Sequence, residues 1–212
     1  MTSGKLSLST IKGNLNTDKD DKYLNNYEKY FEHLRDNEVN LLELGVFRGG
    51  SLLLWKKYFE RGNIIGVDIN DVNIEQDEKL HFFKGSQSDE QFLTGIANTT
   101  APGGFDIIID DASHYGALTK QSFKILFEKY LKPGGIYVIE DWGTGYWKEW
   151  PDGADYVQPT DTEKIFPSHQ NGMVGVVKQL IDELAISDIT HETFGMPPVQ
   201  KSLIAEMSIY TG

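Results

Sequence analysis

"NLLELGVFRGGSLLLWKKYF", residues 40 to 59, decides the fold. As far as Val46 it is a short apolar run of the kind that fills a strand buried on both faces. After "FRGG", Leu52, Trp55, Tyr58 and Phe59 recur at helical spacing. Strand, glycine-rich turn and helix form the opening of an α/β unit.

Working outward, the same alternation continues. "NIIGVDIN" (63–70) reads as a second strand closing on Asp68, and "LHFFKGS" (80–86) as a third, after which Ser88 and Gln91 have the spacing of a capping box. "FDIIIDD" starts a fourth strand at Phe105. "TKQSFKILFEKYLKPGG" (119–135) then puts Phe123, Leu126, Phe127, Tyr130 and Leu131 on one helical face, stopped by Pro133 and two glycines. "IYVIED" (136–141) is a fifth strand. Upstream, residues 22–35 carry Tyr23, Tyr27, Tyr30, Phe31 and Leu34 on one helical face. Downstream, an irregular stretch over 142–171 precedes a helix with Val174, Val177, Ile181 and Leu184 on one side, and "SLIAEMSIYTG" reads as a last strand. Loops that long are usually lids or binding loops. The expectation is one domain over 1–212: an N-terminal segment and helix to 38, a cofactor-binding core over 39–141, a substrate loop over 142–171, and a C-terminal helix and strand from 172.

Composition narrows the function. With 32 acidic against 20 basic side chains the net charge is −12, which repels a nucleic-acid backbone over most of the surface. No apolar run approaches the roughly 18 residues of a membrane span. The chain has no cysteine, which excludes disulfides and thiolate metal sites, and "MTSGKLSLSTIKGN" lacks the apolar stretch of a secretory signal. A cytoplasmic protein acting on a small molecule is expected, with no nucleic-acid or membrane partner. A homo-oligomer is left open.

In an open parallel sheet, ligands bind beyond the carboxyl ends of the strands where the strand order reverses. At the first such end Gly45 and Gly49 allow close backbone approach, while Glu43 supplies an acceptor and Ser51 a hydroxyl. Asp68 follows at the spacing of a ribose-binding acid, which suits a nicotinamide or an adenosylmethionine cofactor. The turn E-x-G-x-x-x-G-x-S differs from the G-x-G-x-x-G that would hold a pyrophosphate. S-adenosylmethionine has no phosphate, and its ammonium group suits Glu43. Ser86 and Gln87, at the third strand end, suit an adenine edge.

The ends "IDDASH" and "VIEDW" would put Asp110, Asp111, Glu140 and Asp141 in adjacent strand mouths. Four carboxylates so close raise one another's pKa values, and a divalent cation resolves the conflict. Oxygen donors favour a hard ion, Mg²⁺ or Mn²⁺. On these residues alone either Asp110 or Asp111 can serve as the ligand, the other contacting cofactor. Such a cation also lowers the pKa of an oxygen acid, and His114 is placed to take the released proton.

"LLELGVFRGGSLLLWKKYF", "GVDI", "FDIIIDDASH" and "PGGIYVIEDWGTGYW" resemble the metal-dependent sugar O-methyltransferases of macrolide tailoring, and more distantly the rhamnosyl O-methyltransferase and cephalosporin hydroxylase-like group. The likeness runs from about residue 14 to the end. It implies a Rossmann-like class I methyltransferase sandwich, a mostly parallel sheet with helices on both faces, whose last antiparallel strand is expected to be missing after "SIYTG". A counterpart of the long auxiliary N-terminal domain of the macrolide enzymes is not expected. The resemblance implies Asp111, Glu140 and Asp141 as metal ligands and His114 as catalytic base, leaving Asp110 to the cofactor. "NTDKDDKYLNNYEKY" resembles the segment before the family's core, whose Thr-Asp-Lys and later tyrosines, here Tyr27 among them, lie near cofactor and substrate.

Trp142, Tyr146, Trp147 and Trp150 follow the last acidic pair, and flat aromatic faces suit sugar rings. They suit a planar phenol equally, so a phenolic or catechol O-methyltransferase stands as the alternative to a glycoside acceptor, with a nicotinamide-dependent oxidoreductase and a non-catalytic adenosylmethionine-binding protein as readings from other classes. His169, in the same loop, is a further candidate substrate contact.

Overall fold

The computed structural model describes residues 5–157, 169–190, 193 and 201–210. The chain divides into two compact units, one made of residues 1–113 and 121–140 and the other of 114–120 and 141–212.

The first unit is built on five strands: β1 (Asn40–Leu44), β2 (Asn63–Asp68), β3 (Leu80–Lys84), β4 (Phe105–Asp110) and β5 (Leu131–Ile139). All pair in parallel, in the order β3-β2-β1-β4-β5. The chain steps outward from β1 to β3 and then crosses back to start β4 on the other side of β1. The order therefore reverses between β1 and β4, as in the Rossmann-like sheet that the resemblance implies, and the elements alternate as the α/β pattern predicts.

Alternation along each strand sorts side chains onto two faces. Leu41, Ile64, Ile107 and Ile109 join one buried cluster with α1 (Leu8–Lys12), α2 (Asp21–Phe31) and α3 (Gly50–Tyr58). Leu42, Leu44, Ile65, Val67 and Ile108 join the other, with α4 (Glu90–Thr100) and the 121–130 part of α5 (Gly116–Tyr130). Each fully buried aliphatic side chain contributes roughly 1.5 to 3 kcal/mol relative to exposure. This two-layer cover explains why the strands read as continuous apolar runs.

Three local expectations change. Helix α4 is capped by Asp89, whose carboxylate accepts from the Phe92 amide, while the Ser88 hydroxyl pairs with Ser86. An Asp at the N-cap competes well with the Ser one residue earlier. Helix α5 ends at Tyr130, and Leu131 to Gly135 belong to β5, whose pairing with β4 shifts register between Phe105 and Ile107. The strand expected over 202–212 does not form within 201–210, where no residue is paired into a sheet. Leu203 and Ile209 there are 68% and 49% exposed, so the alternating pattern has no covering layer among the described residues.

In the second unit the stretch expected to be irregular has local structure: a 3₁₀ turn at Trp142–Tyr146 and the short helix α6 (Pro151–Ala154). Helices α7 (Gly172–Leu184) and α8 (Ile186–Ile189) follow, with Val174 and Val177 buried and Ile181 42% exposed. No helix of the described residues is long and apolar enough to cross a membrane.

Candidate active site

The carboxyl ends of β1 and β4 meet at the reversal point, and backbone packing holds them there. Gly45 has φ +83°, and a Cβ on it would lie 2.1 Å from the Asp111 carbonyl oxygen. The Asp111 amide donates to Leu44 O at 2.9 Å, extending the β1–β4 pairing by one bond. Glu43 points to the face covered by α2 and α3 because it alternates with Leu42 and Leu44. It is fully buried, and Ser51 on α3 donates its hydroxyl to Glu43 Oε2 at 2.7 Å.

Asp111 and Glu140 complete a carboxylate group with Glu43: one oxygen from each lies within 4.8 Å of the others. Into this group reaches Lys19, from the segment ahead of α2. Its ammonium donates to Glu140 Oε1 at 2.5 Å and to Asp111 Oδ2 at 2.8 Å, and lies 3.4 Å from Glu43 Oε1. The Tyr27 hydroxyl on α2 donates to the same Glu140 oxygen.

Burial opposes every charge here. It pushes the Asp111 carboxyl up, helped by Glu140 and Glu43 and opposed by Lys19. Glu43 is raised by burial, with Lys19 and Ser51 pulling the other way. Burial would lower Lys19, but Glu140, Glu43 and Asp111 together outweigh it and hold the ammonium well above its usual range. Tyr27 is raised by burial and by Glu140, so its hydroxyl stays a donor. The group is oxygen-only and rich in negative charge, which fits a hard divalent cation.

Asp110 points to the other face. It is 2% exposed and accepts from the Ser122 hydroxyl at 2.5 Å and from Gln87 Nε2 at 3.0 Å, and Gln87 Oε1 accepts from the Ser113 amide. Burial raises its carboxyl to about 6 against these hydrogen bonds. Both residues thus hold the loop after β4 in shape. Asp68 ties the turn after β1 to the end of β2: Oδ2 accepts from the Val46 and Phe47 amides and Oδ1 from that of Asn70. Gly49 (φ +79°) sits at the N-cap of α3, and Ser86 is half-buried against Ser88.

In the second unit, His114 and Asp141 both adopt left-handed backbone, with φ +49° and +52°. Non-glycine residues held there concentrate at functional sites. His114 Nε2 lies 3.9 Å from Asp141 Oδ2, and the His114 ring meets the edge of Trp150 at 4.9 Å between centroids. Trp142 and Tyr146 are half-buried and Trp147 is 57% exposed. His169 is 5% exposed, with its ring against Tyr146 and Tyr156 and its amide donating to the Tyr146 hydroxyl.

Of the four carboxylates expected in adjacent strand mouths, Asp111 and Glu140 come together, joined by Glu43, which the sequence pattern assigns to the cofactor, whereas Asp110 is held by Ser122 and Gln87. Lys19 belongs to the Thr-Asp-Lys that the resemblance sets near cofactor and substrate, but nothing in the sequence assigns its ammonium to these carboxylates. Asp152 was also passed over: its Oδ2 accepts from the Gly116 amide at 2.7 Å and the Met173 amide at 2.8 Å, at the starts of α5 and α7.

No protein-family model matches the chain. It is 34% identical over 191 residues to the mycinamicin VI 2''-O-methyltransferase of Micromonospora griseorubida, a match covering 87% of this chain and 45% of that protein. It is 38% identical over 165 residues to the 8-demethyl-8-alpha-L-rhamnosyl tetracenomycin-C 2'-O-methyltransferase of Streptomyces olivaceus, covering 74% and 40%. The solved structure of the MycE methyltransferase from the mycinamycin biosynthetic pathway, in complex with Mg, SAH and mycinamycin VI, superposes with a TM-score of 0.70 at 36% identity, covering 86% of this chain and 49% of that one. The chain spans about half the length of these relatives or less.

Proposed function

We propose that this chain, a homologue of macrolide and rhamnosyl sugar O-methyltransferases over most of its length, transfers a methyl group from S-adenosylmethionine to a hydroxyl of a glycosylated natural product, with Mg²⁺ or Mn²⁺ as its metal. The observation that carries the proposal is the group of three carboxylates, Glu43, Asp111 and Glu140, at the strand-order reversal. Three buried carboxylates against the single Lys19 ammonium leave an excess of negative charge that suits a divalent cation, and the reversal point is where such sheets bind ligands.

Asp111 and Glu140 would hold the metal, joined by Asp141, the residue after Glu140. When bound, the cation lowers the pKa of an oxygen acid it holds. The residues of the chain then do the rest. His114 takes the proton of the acceptor hydroxyl, the oxygen attacks the methyl carbon, and the carbon–sulfur bond breaks. The sulfonium leaves as the neutral thioether of S-adenosylhomocysteine. Glu43 faces the cofactor's ammonium group, and Gly45 and Gly49 let backbone approach it. Asp68 Oδ1 accepts one amide and keeps a second lone pair for a ribose hydroxyl. We assign Ser86 to the adenine end, and Tyr27 and the aromatic residues Trp142, Tyr146, Trp147 and Trp150 to the acceptor's surroundings, where flat rings suit sugar faces.

The test is methyl transfer from labelled S-adenosylmethionine, with Mg²⁺ present, to a panel of macrolide and rhamnosyl glycosides beside catechols. Labelled glycoside is the expected product. Methylation of catechols alone, by a protein that binds the cofactor, would replace the acceptor class.

A further inference from the structure

Lys19 lies inside the carboxylate group. Its side chain is 2% exposed, and its ammonium contacts Glu140 and Asp111, the two metal holders proposed above from the first unit. Glu43 Oε1, 3.4 Å away, is buried with no hydrogen-bond partner among the described residues, whereas Oε2 takes the Ser51 hydroxyl. Three carboxylates face one ammonium, so the group keeps an excess of negative charge that burial makes costly. A divalent cation cancels that excess with Lys19 still charged. The ammonium would compete with Mg²⁺ for Asp111 and Glu140, since the ion would need their oxygens at ~2.1 Å and repels a positive charge beside it.

The lysine is delivered by an anchored stretch. Gly50, at the start of α3, packs so closely on Asn16 that a Cβ would lie 2.0 Å from the Asn16 carbonyl oxygen. Three residues later, the Lys19 amide is 3.4 Å from the Thr17 hydroxyl. With the backbone fixed at that end, the flexible four-carbon side chain is the part able to move.

We propose that Lys19 is a resident counter-ion of the metal site: it holds Asp111 and Glu140 when no divalent cation is bound, yields their oxygens when one binds, and shifts onto the Glu43 oxygen that has no hydrogen bond. The proposal rests on the metal-dependent reading above. Metal loading would then strengthen a Lys19–Glu43 pair beside the cofactor end of β1, linking the two sites through one side chain.

Mn²⁺ alone is the probe, its binding followed by the electron paramagnetic resonance of free Mn²⁺ and by thermal unfolding with and without chelator. Lys19→Met removes a competing charge and should bind Mn²⁺ tighter by on the order of tenfold. Its unfolding temperature in chelator should fall several degrees below wild type, and the gap should close when Mn²⁺ is added. Lys19→Arg, which keeps the charge, should follow wild type in both measurements. If Lys19→Met fails to fold in chelator, recovery of folded protein on adding Mn²⁺ supports the proposal and failure to recover overturns it. Equal or weaker Mn²⁺ binding by folded Lys19→Met overturns it while leaving the metal reading intact, as does an unchanged unfolding temperature in chelator. Absence of Mn²⁺ binding by wild type and variants alike overturns the metal reading together with the exchange.

Discussion

Gly45 and Asp111 touch through backbone alone: a Cβ at position 45 would stand 2.1 Å from the Asp111 carbonyl oxygen. That contact sets the distance between the ends of β1 and β4, and so the spacing of Glu43 and Asp111. Gly45→Ala meets two penalties, a left-handed φ of +83° and an overlap with backbone that cannot rotate away. Together they should cost about 3 kcal/mol of stability. Urea denaturation measures it, and a loss below about 1 kcal/mol would mean that the strand ends relax apart freely.

The strands were legible because residues buried on both faces leave unbroken apolar runs, and the reversal point was legible because polar residues collect where those runs end. Glu43, Asp111 and Glu140 could therefore be chosen by position. Lys19 could not be chosen by position, since it meets Glu140 across 121 positions; only the family resemblance of its Thr-Asp-Lys set it near the site, without a partner. Asp152 escaped for the same reason, since its partners are backbone amides that every residue possesses. The strand expected over 202–212 failed differently within the described residues 201–210. Its alternation is real, but alternation makes a strand only where an edge receives it.

Asp110 makes the stability of the metal-free protein depend on pH. Its folded carboxyl is raised by burial from the ordinary 3.8 to about 6. Below about pH 4 it is protonated in folded and unfolded chains alike. Between the two values the folded protein keeps a proton that the unfolded chain has released, so stability falls as pH rises, and above about 6 the full cost is present. Asp110→Asn, which can still bond Gln87 and Ser122, should lack this dependence. In chelator, wild type should lose roughly 3 kcal/mol relative to the variant between pH 4 and 7. Parallel urea-denaturation curves across that range would refute the burial argument.

Asp152 joins the starts of α5 and α7 through a single carboxylate oxygen. Asp152→Ala leaves two buried amides without an acceptor, at a cost of roughly 3 to 5 kcal/mol, and Asp152→Asn, which keeps one accepting oxygen, should cost less. Hydrogen exchange at the Gly116 and Met173 amides should quicken together in the alanine variant. Acceleration at only one of them would show that the two helices are held separately.

Stripping divalent cations with a chelator should abolish methyl transfer, and Mg²⁺ or Mn²⁺ should restore it. Glu140→Gln removes a proposed metal oxygen without changing shape. It should lower kcat by roughly 10²-fold or more, the equivalent of several kcal/mol of transition-state stabilisation. S-adenosylmethionine affinity by calorimetry should change little. Full turnover after exhaustive chelation excludes the metal from the reaction.

His114 is the last test, because its backbone has already given up the easier conformation. A histidine at φ +49° is held there by its surroundings, with its ring against Trp150 and Nε2 toward Asp141. If the constraint aims the imidazole at the acceptor hydroxyl, His114→Ala should lower kcat by about 10² to 10⁴-fold while cofactor affinity stays near wild type, since the base acts only as the proton leaves. His114→Gly separates chemistry from strain: glycine adopts the left-handed conformation without cost, so it should be more stable than the alanine variant and equally inactive. Turnover restored by glycine alone would mean that the backbone turn, not the imidazole, is what the reaction needs at this position.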